Sequence, residues 1–331
     1  MAYEDKPHNY EAWDINIYYA EKSWPVHGME DISVIEDNED RVGVQFTRRY
    51  LETTIVERLY LERDHALVTM EFDVDWHETN QLLKLHFPYD IFTHEATFDI
   101  QYGNLTRPIH SNTSWDMARF EVAMQKWMTV HEQNFGLSIL NDCKYGASVK
   151  PGDIGLSLLK SPRYPSEVAD IGKHHFTYAI MPYQGAFEES DTIAKAYHLN
   201  NPPQVYVKHT TKGDLPKQQG FVYAAEAGLT IETVKKSEEG DGTIVRVYEH
   251  NGARHQTAQL IFGKPIRSIH EVDLIENDVD DGKLEISDDR FTATFQIEPY
   301  EIKSYRVEFA WVWVAYVLVC ISLSCLRFGF S

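Results

Sequence analysis

Period-two alternation runs through the first two hundred residues. Val68, Met70, Phe72, Val74 and Trp76 alternate with Thr69, Glu71, Asp73 and Asp75, so a strand here has one apolar face and one acidic face. Val42, Val44 and Phe46 repeat the pattern, and so do Leu83, Leu85 and Phe87, which stop at Pro88. The signal returns near the end, where Phe291, Ala293, Phe295 and Ile297 alternate with Thr292, Thr294, Gln296 and Glu298. Strands with one buried face, separated by turn residues, predict antiparallel sandwiches and an all-β protein. Helical signal is confined to Glu188 to Tyr197, with acids in its first turn and an Ile193/Tyr197 pair.

Prolines and polar residues between Asn200 and Gly220 mark a boundary. The predicted organisation is a β-sandwich domain over 1–203, a linker over 204–220, a smaller β domain over 221–307 and an apolar tail over 308–331. Phe309 to Leu326 carries no charge, and its eighteen residues reach only the short edge of what a membrane span needs. The segment has no alternating polar face, so it is expected to project as a separate element that the fold can lose. Any membrane contact is expected through this tail only.

Composition narrows the function classes. Of 331 residues, 43% are hydrophobic and 13% aromatic, enough for a sizeable core. The net charge of −20 gives phosphate-backbone binding no global electrostatic support, so nucleic acid is not an expected partner. Cys143 stands alone in the body of the chain, apart from Cys320 and Cys325, and a reducing compartment is expected. The opening MAYEDKPHNYEAWD has neither the basic start nor the apolar stretch of a secretory signal.

Familiar catalytic signatures are missing from the sequence: no Gly-rich phosphate loop, no dinucleotide fingerprint and no Gly-x-Ser-x-Gly elbow. His77-Glu78 begins like a zinc-protease helix, but position 81 is Gln and the pair follows an alternating strand. His174 and His175 are neighbours on a predicted strand and point to opposite faces, so they cannot grip one ion together. Cys143 is expected to be a small buried hydrophobe rather than a nucleophile, slow to react with thiol reagents. Trp13-Asp14, Trp115-Asp116 and Asn141-Asp142 place carboxylates beside aromatics or turns, a combination that suits sugar recognition. Composition alone favours the plainer reading, in which Trp13 and Trp115 are core aromatics with solvated neighbours.

These segments also resemble glycoside hydrolase family 38, the α-mannosidases, in its cytosolic and vacuolar branch. The resemblance is carried by EAWDINIYYAEK (11–22), DVDWHETNQLLKLHFP (73–88), ATFDIQYG (96–103), RPIHSNTSWDMARFEV (107–122), LNDCKYGASV (140–149), FTYAIMPYQGAFEES (176–190) and AYHLNNP (196–202). It implies a twisted, mutarotase-like β-sandwich followed by a smaller β-sandwich, the C-terminal part of a retaining exo-α-mannosidase. The family's His-x-Asp zinc motif, nucleophilic aspartate and acid/base carboxyl have no counterpart in the sequence. The resemblance places zinc, or cobalt, in a separate catalytic domain, with no cofactor held here and the chain alone inactive.

On this resemblance the expected partners are that catalytic domain and a mannose-containing oligosaccharide, in the cytoplasm, a vacuole or a lysosome. Rim segments 10–14, 141–145 and 161–164 are implied to contact sugar, through Trp13, Asp14, Asn141, Asp142, Lys144, Tyr145 and Arg163. A non-catalytic carbohydrate-binding protein is the alternative. Lys144 and Tyr145 are further expected to face outward, because turn-rich segments present polar groups to solvent.

Overall fold

The computed structural model describes residues 1–207, 216, 218–279 and 284–310. The chain divides into two units, Met1–His209 and Thr210–Ser331. In the first unit the strands are β1 (Ala2–Glu4), β2 (Ser23–Trp24), β3 (Glu30–Asp37), β4 (Arg41–Tyr50), β5 (Thr53–Glu62), β6 (Val68–Trp76), β7 (Gln81–Pro88), β8 (Glu95–Ile100) and β9 (Gly103–Pro108). They continue as β10 (Val122–Ala123), β11 (Trp127–Glu132), β12 (Phe135–Asn141), β13 (Gly146–Lys150), β14 (Asp153–Lys160) and β15 (Gly172–Gln184).

These strands form two sheets. One has nine strands in the order β3-β4-β5-β6-β15-β12-β11-β8-β9, the other six in the order β10-β13-β14-β7-β1-β2. Each assigned strand pair is antiparallel, as one-face-buried alternation predicts. On β6 the alternating residues Met70, Phe72, Val74 and Trp76 are buried while Thr69, Glu71, Asp73 and Asp75 are not. They pack with Phe98, Met128, Ile139, Phe176 and Tyr178 of the same sheet and with Leu83, Phe87, Ile154 and Leu156 of the other. Burying each such large side chain contributes about 1.5–3 kcal/mol.

Two departures from the sequence pattern concern the helices. The only helix predicted, 188–197, is found later in the chain: Phe187–Glu189 is a 3-10 turn and α2 spans Thr192–Asn200. The Ser190 hydroxyl donates to Thr192 Oγ1 and interrupts the acidic run, so the helix starts after it. The α2 helix buries Thr192 and Ala196 over the outer side of the nine-stranded sheet, beside Trp127, Leu140, Ala179 and Met181. A second helix, α1 (Ser114–Ala118), was not predicted.

The second unit is a smaller sandwich of two four-stranded sheets. Its strands are β16 (Val222–Ala224), β17 (Leu229–Lys236), β18 (Thr243–Glu249), β19 (His255–Phe262), β20 (Ile266–Val272), β21 (Glu285–Ile286), β22 (Thr292–Ile297) and β23 (Ile302–Phe309). Sheet orders are β16-β19-β22-β21 and β17-β18-β23-β20. Ala293, Phe295 and Ile297 supply the buried alternation of β22, with Val245, Val247, Leu260, Tyr305 and Val307. Phe291 precedes the strand and is partly exposed.

The tail boundary needs correction. Phe309 pairs with Ile266 across β20, and its ring lies 5.4 Å from that of Phe221 and 5.8 Å from that of Phe262. It belongs to the core of the second unit. The expectations for 311–326, and much of the expected linker, lie outside the described residues.

Candidate functional site

The first predicted rim segment is a tight turn. Tyr10 adopts a positive φ of 57°, and its carbonyl accepts from both Trp13 N and Asp14 N at 2.9 Å. The turn projects Tyr10 and Trp13 outward, each 69% exposed, with their rings edge to face at 6.4 Å. Between them Glu11 turns inward. Its Oε2 accepts from Arg163 N at 2.9 Å and from Asn80 Nδ2 at 3.4 Å. That carboxylate therefore brings 10–14 and 161–164 together, although they are some 150 residues apart in sequence. Asn80 N also donates to Ser161 O at 2.7 Å, tying the β6–β7 connection into the same junction.

A buried ion pair lies under this junction. Lys160 donates to Asp5, which is almost fully buried. Burial raises the Asp5 carboxyl above its ordinary range, with Lys160 opposing the shift. Arg163, Tyr164 and Asp14 remain open to solvent above it. The junction thus carries the exposed Tyr10–Trp13 ring pair on one segment and the exposed Arg163 and Tyr164 on the other. Ring faces can stack on sugar C–H surfaces while the charged groups bind hydroxyls.

The segment 141–145 sits elsewhere, at the crossover from β12 to β13. In the six-stranded sheet β13 lies three strand positions from β1, about 14 Å at the usual strand spacing. Asn141 is fully buried and does not present its side chain to a ligand. Its Nδ2 donates to Gln125 O at 2.6 Å and its Oδ1 accepts from Lys144 N at 2.8 Å, so it builds the turn. Asp142 Oδ2 accepts from Thr177 N at 3.0 Å. Lys144 is half-buried, with Nζ 5.3 Å from the Phe176 ring centroid, while Tyr145 is exposed.

Cys143 is exposed, which corrects the expected buried position. Its thiol is nonetheless pushed up to about 12, first by desolvation and then by hydrogen bonding and charge from Asp142. A thiol held protonated is a poor nucleophile even at the surface. Asp116, beside Trp115, is likewise a structural group. It caps α1 by accepting from Thr113 N at 3.1 Å and Thr113 Oγ1 at 2.8 Å, and it accepts from Arg119 at 3.0 Å.

Pattern reasoning missed one cluster altogether. Lys84 should point to solvent from β7, yet its side chain is fully buried. It donates to Glu121, to Ser148 Oγ at 2.9 Å and to Tyr19 OH at 3.3 Å. The Tyr19 hydroxyl donates to Glu121 Oε1 at 2.9 Å, and Ser157 Oγ to Glu121 Oε2 at 3.1 Å. Tyr19 belongs to the 3-10 turn Ile17–Glu21, which covers this face. Desolvation lowers Lys84 to about 7 and raises Tyr19 to about 12. A Cβ at Gly155 would come within 2.7 Å of Ser148 Oγ and 3.1 Å of Lys84 Cε, so a larger residue there would displace the hydroxyl that Lys84 donates to. Leu82 on the supposedly solvent-facing side of β7 was the available signal that something covers it.

Zinc has no fitting donor set in what is seen. Among the described residues no three or more His, Cys, Asp or Glu side chains are placed to hold a metal. His174 Nε2 pairs with Asp170 O and His175 Nδ1 with Asp73, each at 2.8 Å, in different directions. His77 pairs with Asp75 at 3.0 Å. No helix among the described residues is long and apolar enough to cross a membrane.

A large antiparallel β-sandwich followed by a smaller one is the class of protein this fold defines. The chain belongs to glycosyl hydrolase family 38: residues 1–167 match its C-terminal domain and residues 228–305 its C-terminal beta sandwich domain. It is 35% identical over 309 residues to alpha-mannosidase 2C1 of Homo sapiens, covering 92% of this chain and 29% of that protein. Alpha-mannosidase G of Dictyostelium discoideum is 34% identical over 317 residues, 92% of this chain and 28% of its own length. The chain thus spans less than a third of these relatives. An alpha-mannosidase structure from Enterococcus faecalis shares the fold, with a TM-score of 0.71 and 17% identity over 85% of this chain and 35% of that one.

Proposed function

We propose that this chain is the C-terminal, β-rich part of a retaining exo-α-mannosidase that removes terminal mannose from oligosaccharides. The observation that carries the proposal is the match to α-mannosidases over nine-tenths of the chain. In this reading the chain supplies a scaffold and, through Trp13, Asp14, Tyr10 and Arg163, part of the sugar-contacting rim. The nucleophile, the acid/base carboxyl and a zinc or cobalt ion belong to the remaining portion of the enzyme, and two carboxyl groups about 5–5.5 Å apart are what retention requires there. The metal, when bound, supplies electrophilic grip on sugar hydroxyls. The side chains of this chain hold the rim loop in place and present its aromatic faces. Free oligosaccharides in the cytosol are the proposed substrate pool.

A non-catalytic sugar-binding role is the second reading, favoured by the solvent exposure of Tyr10, Trp13 and Tyr164 in the chain on its own. Co-expression with the part of human alpha-mannosidase 2C1 outside the match, with zinc or cobalt, separates the two. The expected result is aryl α-mannoside hydrolysis by the combined preparation and none by the chain alone. Metal-dependent turnover by the purified chain alone would overturn the assignment of roles. Saturable mannobiose binding by the chain, with no turnover in the combination, would establish the second reading.

A further inference from the structure

The nine-stranded sheet ends on one side in an open edge. β3 is its first strand and pairs with β4 alone, so its far side offers a row of backbone N–H and C=O groups. The other edges of the first unit are guarded. β9 carries Arg107 and ends at Pro108, and the six-stranded sheet ends in β10 and β2, two residues each. β3 has eight residues; Asp31, with a φ of 53°, breaks the extended backbone near its start and leaves 32–37 as about 20 Å of extended chain.

Acids flank this edge and two bulges interrupt it, but its centre is apolar. Ile32 and Val34 are 62% and 65% exposed, and Ile35 and the preceding Met29 are exposed as well. Acids enclose this apolar centre: Glu30 and Asp31 on one side, Glu36 and Asp37 on the other, with no basic residue in the strand. Arg49 answers Glu30 at 3.2 Å and Arg41 answers Glu36 at 2.6 Å, both from β4. Asp31 and Asp37 remain exposed, one near each end. The two bulges in the β3–β4 pairing explain the twist of the edge but not its exposed isoleucines and valine.

A second copy of the chain meets like-charge repulsion in the two most central antiparallel registers of this edge. Antiparallel self-pairing centred on Val34 sets Asp31 opposite Asp37. The register shifted by one sets Glu30 opposite Asp37 and Asp31 opposite Glu36. Like charges directly opposite one another destabilise a strand pair. The occupant that fits has the reverse character.

We propose that β3 is a docking edge for an extended polypeptide segment with an apolar centre and lysine or arginine at both ends, added as a tenth strand by β-augmentation. Main-chain hydrogen bonds supply the affinity, and contacts with the alternating Ile32 and Val34 together with the acidic ends set the register.

The test uses the full chain and three fluorescein-labelled peptides read by fluorescence anisotropy. The first is Lys-Arg-Val-Thr-Val-Thr-Val-Arg-Lys, the second replaces its basic ends with Glu and Asp, and the third is the first N-methylated at alternate residues. The basic-ended peptide is expected to bind at least tenfold more tightly than either of the others. The double variant Asp31→Lys/Asp37→Lys, folded by circular dichroism, is expected to reverse the preference toward the acid-ended peptide. Equal binding of the N-methylated peptide would reduce the effect to attraction by an acidic surface and overturn the proposal. Unchanged preference in the double variant would do so too. Sedimentation velocity showing a dimer that Val34→Lys abolishes would give the edge to a second copy instead.

Discussion

Asn141 and Trp13 were both expected at the sugar rim, and their surroundings separate them. Asn141 has no exposed surface and holds the Gln125 carbonyl and the Lys144 amide. Asn141→Ala leaves both groups short of a partner and is expected to cost about 1–3 kcal/mol, read as a lower urea midpoint. Trp13 is largely exposed, so Trp13→Ala is expected to change stability by less than about 0.5 kcal/mol while weakening mannoside binding. Binding that survives the loss of Trp13 would remove that residue from the rim. Sequence showed that 140–145 is a turn, because Asn-Asp and Gly cluster there. It could not show which way Asn141 points, since that depends on Gln125 in a different loop. The Glu11–Arg163 contact was equally invisible, being set by how two distant connections meet at one end of the sheets.

At the scale of elements, period two found the strands because one-face burial writes itself into alternate residues. β6 reads this way along its whole length. β7 reads correctly on its Leu83/Leu85/Phe87 face and misleadingly on the other, because the turn Ile17–Glu21 folds over Lys84. The short α1 was legible in principle from Thr113-x-x-Asp116, a capping box with Asp at the third position, but five residues give too little periodicity to notice.

The Lys84 cluster also predicts a pH dependence. Burial lowers the folded-state pKa of Lys84 to about 7, so between there and the ordinary lysine value the unfolded chain binds more protons. Stability contributed by this group therefore rises with pH over that window, by at most about 1.4 kcal/mol per pH unit. The expected observation is that unfolding free energy of the native chain increases from pH 7 to 9 relative to Lys84→Met. A flat difference across that range would mean that Glu121 keeps Lys84 charged throughout.

Across the whole molecule the two units have separate cores, so each should respond to its own substitutions. In the second unit β23 pairs with both β18 and β20, and among the described residues Phe309 is the last side chain packed against that core. This places the informative truncation between two neighbouring positions. Ending the chain after Ala310 keeps Phe309 and the bond from Ala310 N to Pro265 O, and is expected to leave thermal unfolding unchanged. Ending it after Glu308 removes a ring that contacts Phe221 and Phe262 and is expected to cost about 2 kcal/mol, since full deletion of a buried Phe side chain costs about 3–5 kcal/mol and Phe309 is only partly buried. For a unit of this size that corresponds to a fall in melting temperature of roughly 5 °C or more. Differential scanning calorimetry of both truncations checks the contrast. An equal loss in both would show that residues beyond 310 are packed into the second unit, and their uncharged run would then be core rather than a dispensable appendage.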